Sequence, residues 1–165
     1  MASKAKIIAL LIFLFGLTDA LGQNTNSDSV IAQVFRALTL AEPAVDNVST
    51  RLLESSEWEA LAYLDMTQPQ YDQNSMQEAV GDVYKFSEKR FIIKMIDQNN
   101  PSQFGLTVNG DYSINGNTLH LTKPGAPSFN EYWKVIILDE NYMVLDIDGL
   151  RIFFTHTQSF FPKTE

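Results

Sequence analysis

The sequence predicts an antiparallel β-barrel, and three observations carry that prediction. From about residue 58 to residue 156, apolar and polar side chains alternate over short runs, the period of a half-buried strand. Hairpin dipeptides, Asn115-Gly116 and Asp148-Gly149, stand between runs. When the runs are paired through those turns, inward residues meet inward residues, whereas a one-residue slip would set apolar against polar.

Ahead of the barrel, the first residues read as a secretory signal peptide. Lys4 and Lys6 give a positive start, residues 7–17 an apolar core, and Ala20-Leu21-Gly22 a small-x-small cleavage site. The apolar run is well short of the ~20 residues that span a bilayer. With no cysteine in the chain, no lipid can be attached at the cleavage site. The expected product is a soluble exported protein, periplasmic or extracellular, without integral membrane association. The same lack of cysteine excludes a disulfide framework, a thiol nucleophile and a thiolate metal site. It also favours a bacterial source for an exported domain of this size. Asn47-Val48-Ser49 is a glycosylation sequon, which would be silent in most bacteria.

Removal of residues 1–22, with Lys4, Lys6 and Asp19, turns the net charge of −8 into −9 on a mature chain of 143 residues. That length makes one domain with a real core. An acidic chain with no basic cluster repels nucleic acid backbones and anionic lipid, so nucleic-acid binding is excluded and a membrane-surface role discounted.

Residues 23–55 form the N-terminal helical segment, beginning with a polar lead-in. Ser27 or Asp28 caps a helix that carries Val30, Ile31, Val34, Phe35 and Leu38 at helical spacing. Pro43 fits the first turn of a second helix with Val45, Val48 and Leu52 on one stripe. Both helices are expected to pack on the barrel or to close one end of it. The barrel occupies residues 56–158 and a tail follows at 159–165. Strands are expected at 58–66, 80–86, 90–96, 104–108, 111–114, 118–122, 132–138, 142–148 and 150–155. That makes about eight, or nine if 104–108 stands alone.

The turns set the registers. Asp148-Gly149, a type I′ signature, pairs Ile147 with Leu150, Leu145 with Ile152, Met143 with Phe154 and, on the other face, Asp146 with Arg151. A loop at 139–141 pairs Ile137 with Met143, Val135 with Leu145 and Lys134 with Asp146. Asn115-Gly116 pairs Tyr112 with Leu119 and Asp111 with His120. The inner face then carries Tyr84, Phe86, Phe91, Ile93, Met95, Tyr112, Ile114, Leu119, Leu121, Trp133, Val135 and Ile137. Met143, Leu145, Ile147, Leu150, Ile152 and Phe154 complete it. Ile92, Ile96, Ile136, Leu138, Val144 and Phe153 face outward, a patch to be covered by the N-terminal helices or by a second copy in a homodimer.

Several stretches resemble the lipocalin-like domains of secreted bacterial proteins, within the lipocalin superfamily. They are Glu57-Trp58-Glu59-Ala60, Tyr84-Lys85-Phe86-Ser87, and Gly110-Asp111-Tyr112-Ser113-Ile114 with Leu119 and Leu121. The final hairpin from Met143 to Phe154 also matches. The resemblance spans residues 52–156 and implies an eight-stranded up-and-down barrel whose open end takes a small apolar molecule. It carries Trp58 over as the tryptophan that closes the barrel floor. Arg151 then has two structural readings, packing over that ring or joining an outer ladder with Lys134 and Asp146. The chain departs from the family at Ser56-Glu57-Trp58, where lipocalins have Gly-x-Trp, and it lacks their Thr-Asp-Tyr element.

The inventory for catalysis is thin. No Gly-x-Ser-x-Gly elbow, His-Glu-x-x-His pair or phosphate-binding glycine loop occurs, and no catalytic residue, metal or cofactor is assigned. His120, between Leu119 and Leu121, points outward to Asp111. His156 shares the parity of Phe154 and stands near a strand end, hence near a barrel mouth. Asp146 and Asp148 belong to a solvated face, and Asp97, Asn99 and Asn100 lack the spacing of a calcium loop.

The aromatic inner face supplies the ligand-binding candidates: Tyr84, Phe91, Tyr112, Trp133, Phe154 and His156. An interior of about eight strands is just wide enough to be packed by side chains or to hold one small ligand. Three function classes stand open. The first is a non-enzymatic barrel for a small apolar or amphipathic ligand, held by burial and one or two hydrogen bonds. The second is a filled-core assembly module acting through Ile136, Leu138, Val144 and Phe153. The third is an isomerase or hydrolase using His156. Monomer and homodimer are both compatible with the sequence.

Overall fold

Alternation becomes strand wherever it runs unbroken. The structure is a computed structural model and describes residues 27–79, 81–97 and 99–156. The expected signal segment, the polar lead-in to residue 26 and the tail lie outside the described residues, as do the side chains proposed to cap the first helix. Among the described residues, helices α1 (Ser27–Leu38) and α2 (Thr50–Leu53) precede nine strands. These are β1 (Glu57–Asp65), β2 (Gln77–Glu78), β3 (Val83–Ser87), β4 (Arg90–Asp97), β5 (Asn100–Asn115), β6 (Thr118–Lys123), β7 (Ala126–Leu138), β8 (Tyr142–Ile147) and β9 (Leu150–His156). From β3 onward each strand pairs antiparallel with the next, and β9 returns to β1, closing eight strands into a barrel. The short β2 pairs further along β1, because Gly81 at φ 84° bends the chain between β2 and β3.

The last hairpin has the expected register throughout, with Asp148 and Gly149 both at positive φ as a type I′ turn requires. Three other expectations need correction. The loop between β5 and β6 is Gly116-Asn117, not Asn115-Gly116, with positive φ at Gly116, as in a type II′ turn. The register therefore moves by two: Tyr112 faces Leu121, and His120 faces Ser113 rather than Asp111. A shift of two leaves every face unchanged. Between β7 and β8 a bulge after Val135 keeps Val135–Leu145 and Lys134–Asp146 but pairs Leu138, not Ile137, with Met143. Leu138 consequently turns inward and Ile137 outward. Finally, 104–108 and 111–114 are one strand. Gly110 is not a turn residue: a Cβ there would stand 2.7 Å from the Phe91 ring and 2.2 Å from the Thr122 carbonyl, so glycine lets Phe91 lie across β5.

Two apolar clusters hold the molecule together. Outside the barrel, Val30, Val34 and Leu38 of α1 pack on Leu61, Leu64, Ile136, Val144 and Phe153. The helix thus covers Ile136, Val144 and Phe153 of the expected outer patch, while Leu138 turns inward and Ile92 stays exposed. Ile136, Leu138, Val144 and Phe153 are all buried, so they offer no surface for an assembly module. The second expected helix is reduced to the single turn of α2, capped by Ser49. Residues 40–49 instead lie against the barrel, where Ala44 donates its backbone N–H to Ile136 and Val48 to Gly116. A longer helix would need those donors internally. Val48 and Leu53 enter the inner cluster and plug the end of the barrel where β1 begins.

Candidate functional site

Because strands alternate in direction, the plugged end also carries the 88–89 and 116–117 turns and the loop after β7. Trp58 sits there, fully buried, donating its indole N–H to the Leu53 carbonyl at 2.9 Å. Its ring partner is His156, edge-on at 4.3 Å between centroids. The expected mouth histidine therefore stands at the closed end. Burial holds its imidazole below the ordinary range against the opposing pull of Asp139, and its Nε2 has no hydrogen-bond partner among the described residues. Tyr112 is anchored at the same end, its hydroxyl 2.6 Å from Glu54 and its ring 5.4 Å from Phe86.

Arg151 does not pack over Trp58. It lies opposite Leu64 on the outer surface, pairs with Asp146 at 3.0 Å, and donates to the carbonyls of Leu38 and Leu40 at 2.8 and 2.6 Å. Leu38 ends α1, where carbonyls lack internal partners, and Leu40 lies just beyond it, so Arg151 fastens the end of α1 to the barrel. His120 also faces outward, 2.6 Å from Asn130 and stacked on Tyr132. Asp146 further accepts from the Gly149 N–H, and Asp97 from that of Asn99, both as local turn contacts.

Of the remaining candidates, Tyr84, Trp133 and Phe154 meet in mid-barrel. Tyr84 contacts Phe154 at 4.7 Å and Trp133 at 5.9 Å, while Phe91 stacks on Phe129 at 5.8 Å. Burial, with the charges of Asp82 and Glu131, pushes the Tyr84 phenol far above its usual value. Towards the end opposite the plug, Tyr63, Val108, Phe129, Ile147 and Leu150 pack against the inner cluster yet are only partly buried. They are apolar residues of the inner cluster that keep part of their surface exposed.

Four members of this region, Tyr63, Val108, Phe129 and Glu131, are missing from the inner face expected from the sequence. Phe129 and Glu131 continue the inward row of Trp133, and Glu131 accepts the Trp133 indole N–H at 2.8 Å. Alternation through 129, 131 and 133 was the available signal, masked by a carboxylate in an apolar row. Separately, Lys85, Ser87, Glu88, Arg90, Ile92 and Asn109 line a groove of about 390 Å³ on the outer surface.

Eight antiparallel strands in meander order, closed on themselves and plugged at one end, define a lipocalin-like barrel. Among solved structures, the chain is similar to a lipocalin-like protein from Bacteroides uniformis. The identity is 14%, over 61% of this chain and 96% of that one, with a TM-score of 0.45. An uncharacterized protein from Bacteroides eggerthii aligns at 14% identity over 61% of this chain and 97% of its own, with a TM-score of 0.48. No protein-family model and no curated protein matches the chain.

Proposed function

We propose that the protein is an exported, non-enzymatic lipocalin-like barrel that takes a small apolar or amphipathic ligand through the end opposite its plug. The observation that carries this reading is the partly buried apolar rim at the end opposite the plug. Trp58, Phe91 and Phe154 are fully buried, whereas Tyr63, Phe129, Ile147 and Leu150 of the same cluster keep accessible surface. Apolar surface facing a concavity and still reached by solvent is what a small-molecule site offers. Tyr84, Trp133 and Phe154 supply its floor. Phe91 acts through Phe129, and Tyr112 and His156 support the floor from the plugged end. Export rests on the first 22 residues, with Lys4 and Lys6 ahead of the apolar run.

Native mass spectrometry of freshly purified protein, followed by titration with the neutral fluorophore phenylnaphthylamine, tests the proposal. Co-purified ligand or saturable one-site binding, weakened by Ile147→Asp, is the expected result. A ligand-free protein that also leaves the fluorophore dark would refute it.

A further inference from the structure

The inner face contains one feature that apolar burial does not explain. Glu131 stands opposite Leu121, two residues from Trp133 on the same inward row, and is half-buried. One carboxylate oxygen, Oε2, accepts the Trp133 indole N–H. Among the described residues no lysine, arginine or histidine pairs with it, the ion pairs being Lys85–Glu57 and Arg151–Asp146, both on the outer surface. The nearby Asp82 is already engaged, accepting the Ile96 backbone N–H at 2.8 Å. A charge facing an apolar interior is costly unless it meets a partner. The rings of Trp133 and Tyr84, 5.9 Å apart, add faces of the kind that attract cations.

Resting on the ligand-binding reading above, we infer that the barrel's ligand is amphipathic with a cationic amine or ammonium head. The apolar part lies against Phe129, Ile147 and Leu150, and the head meets the Glu131 carboxylate beside Trp133 and Tyr84. A carboxylate head would be repelled by Glu131, and an alcohol would donate a hydrogen bond to it without neutralising its charge.

Displacement of bound phenylnaphthylamine by decyltrimethylammonium, decanol and decanoate separates this inference from the reading beneath it. The three share a tail and differ in head charge. The expected order is the cation at least about ten-fold tighter than the alcohol, with decanoate weakest. The overall negative charge of the chain also favours cations, so two variants are compared. Glu131→Gln, whose amide oxygen still accepts from Trp133, brings the cation-to-alcohol ratio close to one. Glu140→Gln, in the exposed loop after β7, leaves the ratio at its original value. If the fluorophore binds but the ratio is near one in the original protein, or survives Glu131→Gln, the cationic head is wrong and the cup stands. If neither the fluorophore nor any decyl compound binds, both readings fall together.

Discussion

At the scale of single residues, three positions carry more than their type implies. The His156 imidazole, edge-on to Trp58, has its folded pKa held by burial below the ordinary 6.5. The unfolded chain then binds the proton more readily than the folded one. The stability contributed by neutral His156 is complete above pH of about 6.5 and is lost as pH falls through the depressed value. An NMR titration should place its midpoint below 6.5, and His156→Gln should flatten that part of the melting temperature's pH dependence. Gly110→Ala should cost about 1–3 kcal/mol in urea denaturation, since a Cβ must displace Phe91 or the Thr122 backbone. Arg151→Met should cost about 2–3 kcal/mol, because Asp146 and the carbonyls of Leu38 and Leu40 lose a charged donor together. A change within experimental error would mean that α1 is held by its apolar face alone.

Elements differ in how clearly they could be read, and the reason is physical. The β8–β9 hairpin was legible to the residue because Asp148-Gly149 fits a two-residue turn with both residues at positive φ. In Gly116-Asn117 only the first position has positive φ, so the dipeptide before it misled the register while the faces survived. Bulges are not written in an alternation pattern, and the one after Val135 exchanged Ile137 for Leu138. The stretch from Pro43 to Leu52 was read as helix from an apolar stripe, but Ala44 and Val48 donate to carbonyls of Ile136 and Gly116. The β3–β4 turn is instructive in another way. Glu88 and Lys89 hold φ of 52° and 62°, a region that costs L-residues roughly 1–2 kcal/mol each. Replacing them with Asn-Gly should raise the urea midpoint by an amount equal to about 1–2 kcal/mol, and a fall in stability would show that these side chains hold the hairpin by other means.

For the whole molecule, barrel closure and the plug depend on contacts far apart in sequence. Trp58 against His156, Glu54 against Tyr112 and Arg151 against the end of α1 cannot be found by walking along turns. This is why the inner face was readable but its two ends were not, and why His156 was expected at a mouth it does not line. Closure also separates the aromatic candidates, gathering Tyr84, Trp133 and Phe154 in mid-barrel while fixing Tyr112 and His156 beside the plug. The position of a bound apolar probe is therefore decisive. Chemical-shift mapping with phenylnaphthylamine on isotopically labelled protein would locate it. An open cup predicts saturable shifts at Phe129, Glu131, Trp133, Ile147 and Leu150, with Val48 and Trp58 unmoved. No saturable shift, or shifts centred on Ile92 and Asn109 in the outer groove, would contradict it.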